Sequence, residues 1–135
     1  MATIKSYTDL EQSKKLAEIL SLESADMYWK NGVSDKYIQC FTPFVTDEYR
    51  SNVDYDYDAP CWSLAALLSV LPNNKHITTA LSRGGWKIEP VEYIDKWFCE
   101  YEDEDSHCKA FTVSADNPVD ACVAMVERLH ELNLM

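Results

Sequence analysis

The sequence is poor in glycine, proline and basic side chains, and it has no apolar run of membrane-spanning length. Three Gly and five Pro in 135 residues leave no composition for a flexible linker or a low-complexity tract, and no internal repeat suggests a solenoid. The first ten residues lack the apolar segment of a secretory leader. The longest apolar stretch, around Leu64 to Leu71, is far short of the roughly 20 residues a bilayer requires. A cytoplasmic protein with no membrane association is therefore expected. The cysteines, Cys40, Cys61, Cys99, Cys108 and Cys122, are odd in number and dispersed, which reads as reduced thiols and not as a disulfide framework.

The shortage of bases carries the next exclusion. Twelve Lys and Arg face 23 Asp and Glu, a net charge of −11. Phosphate contacts need cations to displace counterions, so direct nucleic-acid binding is not expected, whereas a partner with a basic surface is permitted. The charge is uneven. Asp47 to Asp58 holds five acids against Arg50, and Arg83 to Asp105 holds eight against three bases, so these two segments account for nine of the eleven net charges. Acidic loops also serve simply to keep a protein soluble.

What is present is enough for a core. At 47% apolar over 135 residues, a chain of this size buries roughly two-thirds of its unfolded surface, and one globular domain over residues 1–135 is expected. Thr8 and Glu11 form a capping-box pattern ahead of Leu10, Leu16, Ala17, Ile19 and Leu20, predicting a helix over about 9–21. Alternation over Ala25 to Lys30, then Asn31-Gly32, then Lys36 to Phe41 predicts a hairpin, with Pro43 opposing its continuation. Residues 46–59 read as a surface loop. Asp58 and Pro60 suggest a helix start, and Leu64, Leu67, Leu68, Val70 and Leu71 wrap most of its circumference, predicting a buried helix.

Residues 77–113 read as sheet: Ile77 to Leu81, a Gly84-Gly85 turn, Trp86 to Ile88, then a hairpin of Lys96 to Tyr101 and His107 to Val113 about a charged turn at Glu102 to Ser106. In it Trp97, Cys99 and Tyr101 share one face. Asn117, Pro118 and Asp120 announce a last helix running to about Asn133, with Val119, Cys122, Val126, Leu129 and Leu132 inward. The fold class implied is α+β: a two-layer domain with a mostly antiparallel sheet packed against about three helices.

Chemistry is thinly signalled. A Cys61 thiol in a first helical turn would feel the dipole, which favours thiolate. The Cys61-Trp62 pair at a helix start faintly resembles papain-type cysteine peptidases, although Asp58 and Ala59 stand where that motif has Cys and Gly. His76, His107 and His130 are the available bases, with His107 the leading one, giving a thiol-dependent hydrolase or transferase as the alternative reading. The competing reading of Cys61 is a small apolar packing residue.

No metal and no cofactor are expected. Neighbours His107 and Cys108 point to opposite strand faces, and Cys99 opposite Cys108 would supply two ligands at most. The Asp54-Tyr55-Asp56-Tyr57-Asp58 run begins like a calcium loop, but Ala59 and Ala65 occupy its glycine and glutamate positions. No phosphate cradle and no serine elbow occur. Trp29, Trp62, Trp86 and Trp97 read as core.

Three runs, Pro60-Cys61-Trp62-Ser63-Leu64-Ala65-Ala66-Leu67-Leu68, Asn117-Pro118-Val119-Asp120-Ala121-Cys122 and Leu129-His130-Glu131-Leu132, resemble short uncharacterised proteins of Bacteroides-group gut bacteria, their phages and mobile elements. The resemblance covers the second half well and the first 50 residues loosely. It implies a setting, that of a small accessory protein binding another protein, and no mechanism. In that setting the expected partner-binding residues are Asp54, Tyr55, Asp56, Tyr57 and Asp58 together with Glu100, Tyr101, Glu102, Asp103, Glu104 and Asp105. The eight carboxylates between Arg83 and Asp105 would imitate a nucleic-acid backbone toward a basic groove, with Tyr55, Tyr57 and Tyr101 as amphipathic anchors.

Overall fold

In the computed structural model, which describes residues 5–30, 42–54, 57–86, 93–104 and 109–135, the strands divide between two antiparallel sheets. The first half contributes helix α1 (Leu10–Leu16), a 3-10 turn (Leu22–Ser24) and strands β1 (Met27–Trp29), β2 (Phe44–Val45) and β3 (Ala59–Cys61), in the order β2-β1-β3. Helix α2 (Leu64–Val70) leads to β4 (Ile77–Trp86), β5 (Tyr93–Asp103) and β6 (Lys109–Ala115), a meander in the order β4-β5-β6, and helix α3 (Pro118–Glu131) closes the chain. The expected α+β architecture is thus observed, with two three-stranded sheets in place of one.

The core forms where α3 lies on the inner face of the second sheet. Asn117 caps α3 by accepting the Asp120 N–H, Pro118 occupies its first turn, and eight of its 14 residues are buried. Cys122, Met125, Val126 and Leu129 meet Cys99 and Tyr101 of β5, flanked by Leu81, Trp97, Phe111 and Val113. Burial of each Val, Met or Leu contributes about 1.5–3 kcal/mol. Leu16, Trp62 and Leu67 bring α1, the end of β3 and α2 into the same cluster.

Several local expectations are corrected. The cap of α1 is Asp9, whose carboxylate accepts the Gln12 N–H while the Gln12 side chain accepts the Asp9 N–H. Thr8 is one residue too early because its hydroxyl turns inward and accepts the Trp62 N–H at 3.1 Å. Ala59–Cys61 is a strand, paired Met27↔Cys61, Tyr28↔Pro60 and Trp29↔Ala59; Pro60 is tolerated because β3 ends the sheet. The helix starts later, at Leu64, because Asp26 accepts from both the Ser63 N–H and hydroxyl and fixes Ser63 as the cap over Ala66. Asp58 is therefore not at a helix N-terminus. Nor is α2 buried all round, since Ala65, Leu68 and Ser69 are exposed.

The Gly84-Gly85 turn is not formed either: β4 runs through it, with a register shift between Gly84 and Trp86. Gly84 is needed for a different reason. A Cβ there would overlap the ring of Phe98, which lies diagonally across the ladder and covers the glycine. The β5–β6 hairpin is as expected in kind but longer, and Cys99 pairs with Val113 instead of Cys108. The expected strand at Lys36 to Phe41 lies outside the described residues; β1 is paired by β2, just after Pro43, and by β3. Among the described residues no helix is long and apolar enough to cross a membrane.

Candidate functional site

Strand alternation sorts the second acidic segment into two sets. Tyr101 and Asp103 share the inner face with Trp97 and Cys99, so both are buried, and Tyr101 is 1% exposed. Its ring stacks on Phe111 with centroids 5.0 Å apart, and its hydroxyl donates to Asp103 Oδ2 at 3.4 Å. Burial, then the Asp103 charge, push the Tyr101 hydroxyl up from its ordinary range. Tyr101 is a core residue and not the exposed anchor expected.

Glu100, Glu102 and Glu104 occupy the alternate positions and are exposed. Their neighbours on the outer face are short. The register places Ala80 and Thr112 beside Glu100, Thr78 and Ala110 beside Glu102, and Ser82 and Ser114 beside Phe98, every one of these flanking residues exposed. Between Glu100, Glu102, Ala110 and Thr112 this leaves a shallow depression of about 240 Å³. Carboxylates thus rise from the middle strand over a low floor. Asp105 lies outside the described residues.

The first acidic segment is organised differently. Asp54 O accepts the N–H groups of Tyr57 and Asp58, forming a turn, and the Asp58 carboxylate folds back onto the Asp54 N–H at 3.0 Å. The Asp58 side chain is 1% exposed, with Lys30 Nζ 3.6 Å away. It serves the loop and not a partner, in contrast to the expectation. Tyr57 is exposed, and Tyr55 and Asp56 lie outside the described residues. At the loop's start Arg50, in the left-handed region with φ 58°, reaches across to donate to the carbonyls of Ala25 and Glu23.

Cys61 sits in β3, fully buried, inside a hydrogen-bonded chain. Trp29 Nε1 donates to Ser13 Oγ at 3.2 Å, Ser13 and Thr8 hydroxyls meet at 2.8 Å, Thr8 donates to Cys61 Sγ at 3.5 Å, and the thiol donates to the Thr8 carbonyl at 3.3 Å. Burial pushes the thiol up from its ordinary range and outweighs the opposing effect of the nearby Thr8 and Ser13 hydroxyls. The helix dipole expected to favour thiolate is absent at this position, since the helix begins three residues later. His76 is exposed in the loop before β4 and His130 is exposed on α3; His107 lies outside the described residues.

Cys99 and Cys122 form a second thiol contact, under α3. A hydrogen bond from Cys122 lowers the Cys99 thiol against the opposing effect of burial, and the same contact together with burial raises that of Cys122. Among the described residues no three His, Cys, Asp or Glu side chains converge to hold a metal ion. A further cluster was not foreseen: Lys5 Nζ, Gln12 Nε2 and Asn117 Nδ2 all donate to the Asp120 carboxylate, at 2.9, 2.7 and 2.7 Å. Burial opposes ionisation of Asp120, but these donors outweigh it and hold the carboxyl below the usual range.

The short outer-face residues Ala80, Ser82, Ala110, Thr112 and Ser114 were also missed, although their alternation with Leu81, Phe111 and Val113 carried the signal. Comparison with protein-family models, curated proteins and solved structures finds no match.

Proposed function

We propose that this chain is a cytoplasmic, non-enzymatic protein-interaction module, an accessory protein of the kind carried by mobile elements and phages, that engages a basic protein surface through the outer face of β4-β5-β6. The observation that carries the reading is the pair Glu100 and Glu102, exposed on a sheet face floored by Ala80, Ser82, Ala110, Thr112 and Ser114, with Glu104 exposed just past the end of β5. Short neighbours leave the carboxylates accessible to a partner's Lys or Arg, and closely spaced acids attract such a surface over about a Debye length, ~8 Å at physiological salt. The acidic total of −11 acts in the same direction on encounter rate. A thiol-enzyme reading gains no support from Cys61, whose sulfur is enclosed and already hydrogen-bonded.

The test is capture from a lysate of the source cell at low and high salt, comparing the wild type with Glu100→Gln/Glu102→Gln/Glu104→Gln. All three side chains are exposed, so the fold survives the substitution, which circular dichroism checks. Capture that falls about tenfold in the variant and on raising the salt is the expected result. Equal capture by the two proteins at every salt concentration would leave these acids with a solubilising role only.

A further inference from the structure

The edge of the same sheet carries the argument further. In an antiparallel ladder each residue directs its N–H and C=O to one side. Ile77 exchanges both with Asn74, and the Thr79 N–H goes to Asn73 Oδ1 at 2.9 Å, so Ile77 and Thr79 face away from β5. Ala80 and Ser82 then bond to Glu100 and Phe98, and the uninterrupted β5–β6 register makes Tyr101 and Cys99 bond to Phe111 and Val113. It follows that Ala110, Thr112 and Ser114 turn their N–H and C=O groups outward. Among the described residues nothing hydrogen-bonds to them.

The two edges of the sheet are treated unequally. Along β4 the Asn73-Asn74 loop covers the first residues, and Thr79 Oγ1 adds a bond to the Pro72 carbonyl. Along β6 the one charged residue is Lys109, at its start; from Ala110 to Ala115 there is no proline, no charged side chain and no bulge. Those are the devices by which proteins protect an edge from strand addition.

Given the acidic-face reading, on which this step rests, we propose that β6 receives an extended segment with Lys or Arg at alternate positions as a fourth strand. An added strand would lie two strand spacings, about 10 Å, from β5. Its outer-face side chains would cross Ala110 and Thr112, which are too short to obstruct them, and reach Glu100 and Glu102. Backbone pairing supplies the affinity and the two glutamates select the charge. A second copy of the chain fits less well: each copy carries −11, and its β6 offers a single cation, Lys109 at the strand's start, in place of a row at alternate positions.

The experiment titrates the full chain with an eight-residue peptide alternating lysine and valine, a twin with glutamate for lysine, and the lysine peptide N-methylated on the amides that would face β6. Binding is read by anisotropy of the labelled peptide and by amide exchange. The lysine peptide should slow exchange of the Ala110, Thr112 and Ser114 amides, while the glutamate twin does not bind. N-methylation should weaken binding about tenfold, as should Thr112→Pro, which removes one outward N–H. Glu100→Gln/Glu102→Gln should weaken it about fivefold at low salt.

The methylated peptide repeats the backbone test without altering the protein. No binding up to millimolar peptide, or unchanged exchange at the three amides, overturns the proposal. Binding that ignores methylation but disappears in the glutamine variant overturns the edge and leaves the acidic-face reading standing. Edge binding equal for both peptides overturns the acidic-face reading and the basic occupant with it. Protection of the three amides in the peptide-free protein, rising with its concentration, assigns the edge to a second copy.

Discussion

Thr8→Val removes one hydroxyl at constant shape from the buried chain around Cys61, and the consequence can be worked donor by donor. Thr8 Oγ1 accepts the Trp62 N–H and meets Ser13 Oγ, and it donates to Cys61 Sγ. With that donor committed, the Ser13 hydroxyl donates to Thr8, and the Trp29 indole donates to Ser13. The substitution therefore strands two donors, the Trp62 N–H and the Ser13 O–H, while Cys61 loses only a donor to a weak acceptor. At about 1–3 kcal/mol per stranded buried group, the expected loss for two such groups is about 2–6 kcal/mol.

Ser13→Ala strands only the Trp29 indole and should cost about 1–2 kcal/mol. In the double variant no Ser13 hydroxyl remains to be stranded. Its cost should fall below the sum of the singles by about 1 kcal/mol. Urea unfolding followed by tryptophan fluorescence, with far-ultraviolet circular dichroism as a second probe, measures all three. A Thr8→Val loss under about 0.5 kcal/mol, or strict additivity, would refute the proton arrangement.

Three further outcomes are expected. Asp120 has a depressed carboxyl, so its stabilisation is present above the unfolded value near 3.9 and is lost as pH falls through the lower folded value; Asp120→Asn should cost about 1 kcal/mol at pH 7, a figure held low because the side chain is partly exposed, and a chemical-denaturation series from pH 6 to 2 should show the gap closing toward acid. Gly84→Ala should destabilise by about 1 kcal/mol because the Phe98 ring must move aside, and in a Phe98→Ala background the same change should become neutral or stabilising; a loss that persists there would show that the ring is not the cause. Cys61 should resist iodoacetamide at neutral pH until the protein unfolds, and labelling faster than a free cysteine would restore the thiol-enzyme reading.

The elements legible in the sequence are those whose signals are local. Asn117, Pro118 and Asp120 fix the start of α3 within one turn, and the β5 alternation puts Trp97, Cys99 and Tyr101 inward as expected. That same parity also sends Asp103 inward and Glu100 and Glu102 outward, but the density of charge reads as a uniform loop unless the strand is extended through it. The cap of α1 slips by one residue because Thr8 and Asp9 are both competent, and the Trp62 N–H, more than 50 residues away, engages Thr8. A three-residue strand containing Pro60 looks like a helix start until Asp26 is seen to hold Ser63. Which strand of the meander ends with unpaired amides depends on hydrogen-bond parity and on the Asn73-Asn74 loop, neither of which a hydrophobic pattern encodes.

Helix α3 has a consequence for how the protein is made. It lies downstream of the strands it covers and supplies Val119, Cys122, Met125, Val126 and Leu129 to the core, while its Asp120 receives Lys5 from 115 positions earlier. A chain truncated before Pro118 would carry the β4-β5-β6 sheet without α3 over it, with Cys99, Tyr101 and Val113 facing water beside an open β6. Such a chain is prone to aggregate. The second sheet therefore waits on residues 118–131 for its cover, and a stop codon placed just before them should abolish the soluble yield although it leaves β4, β5 and β6 intact.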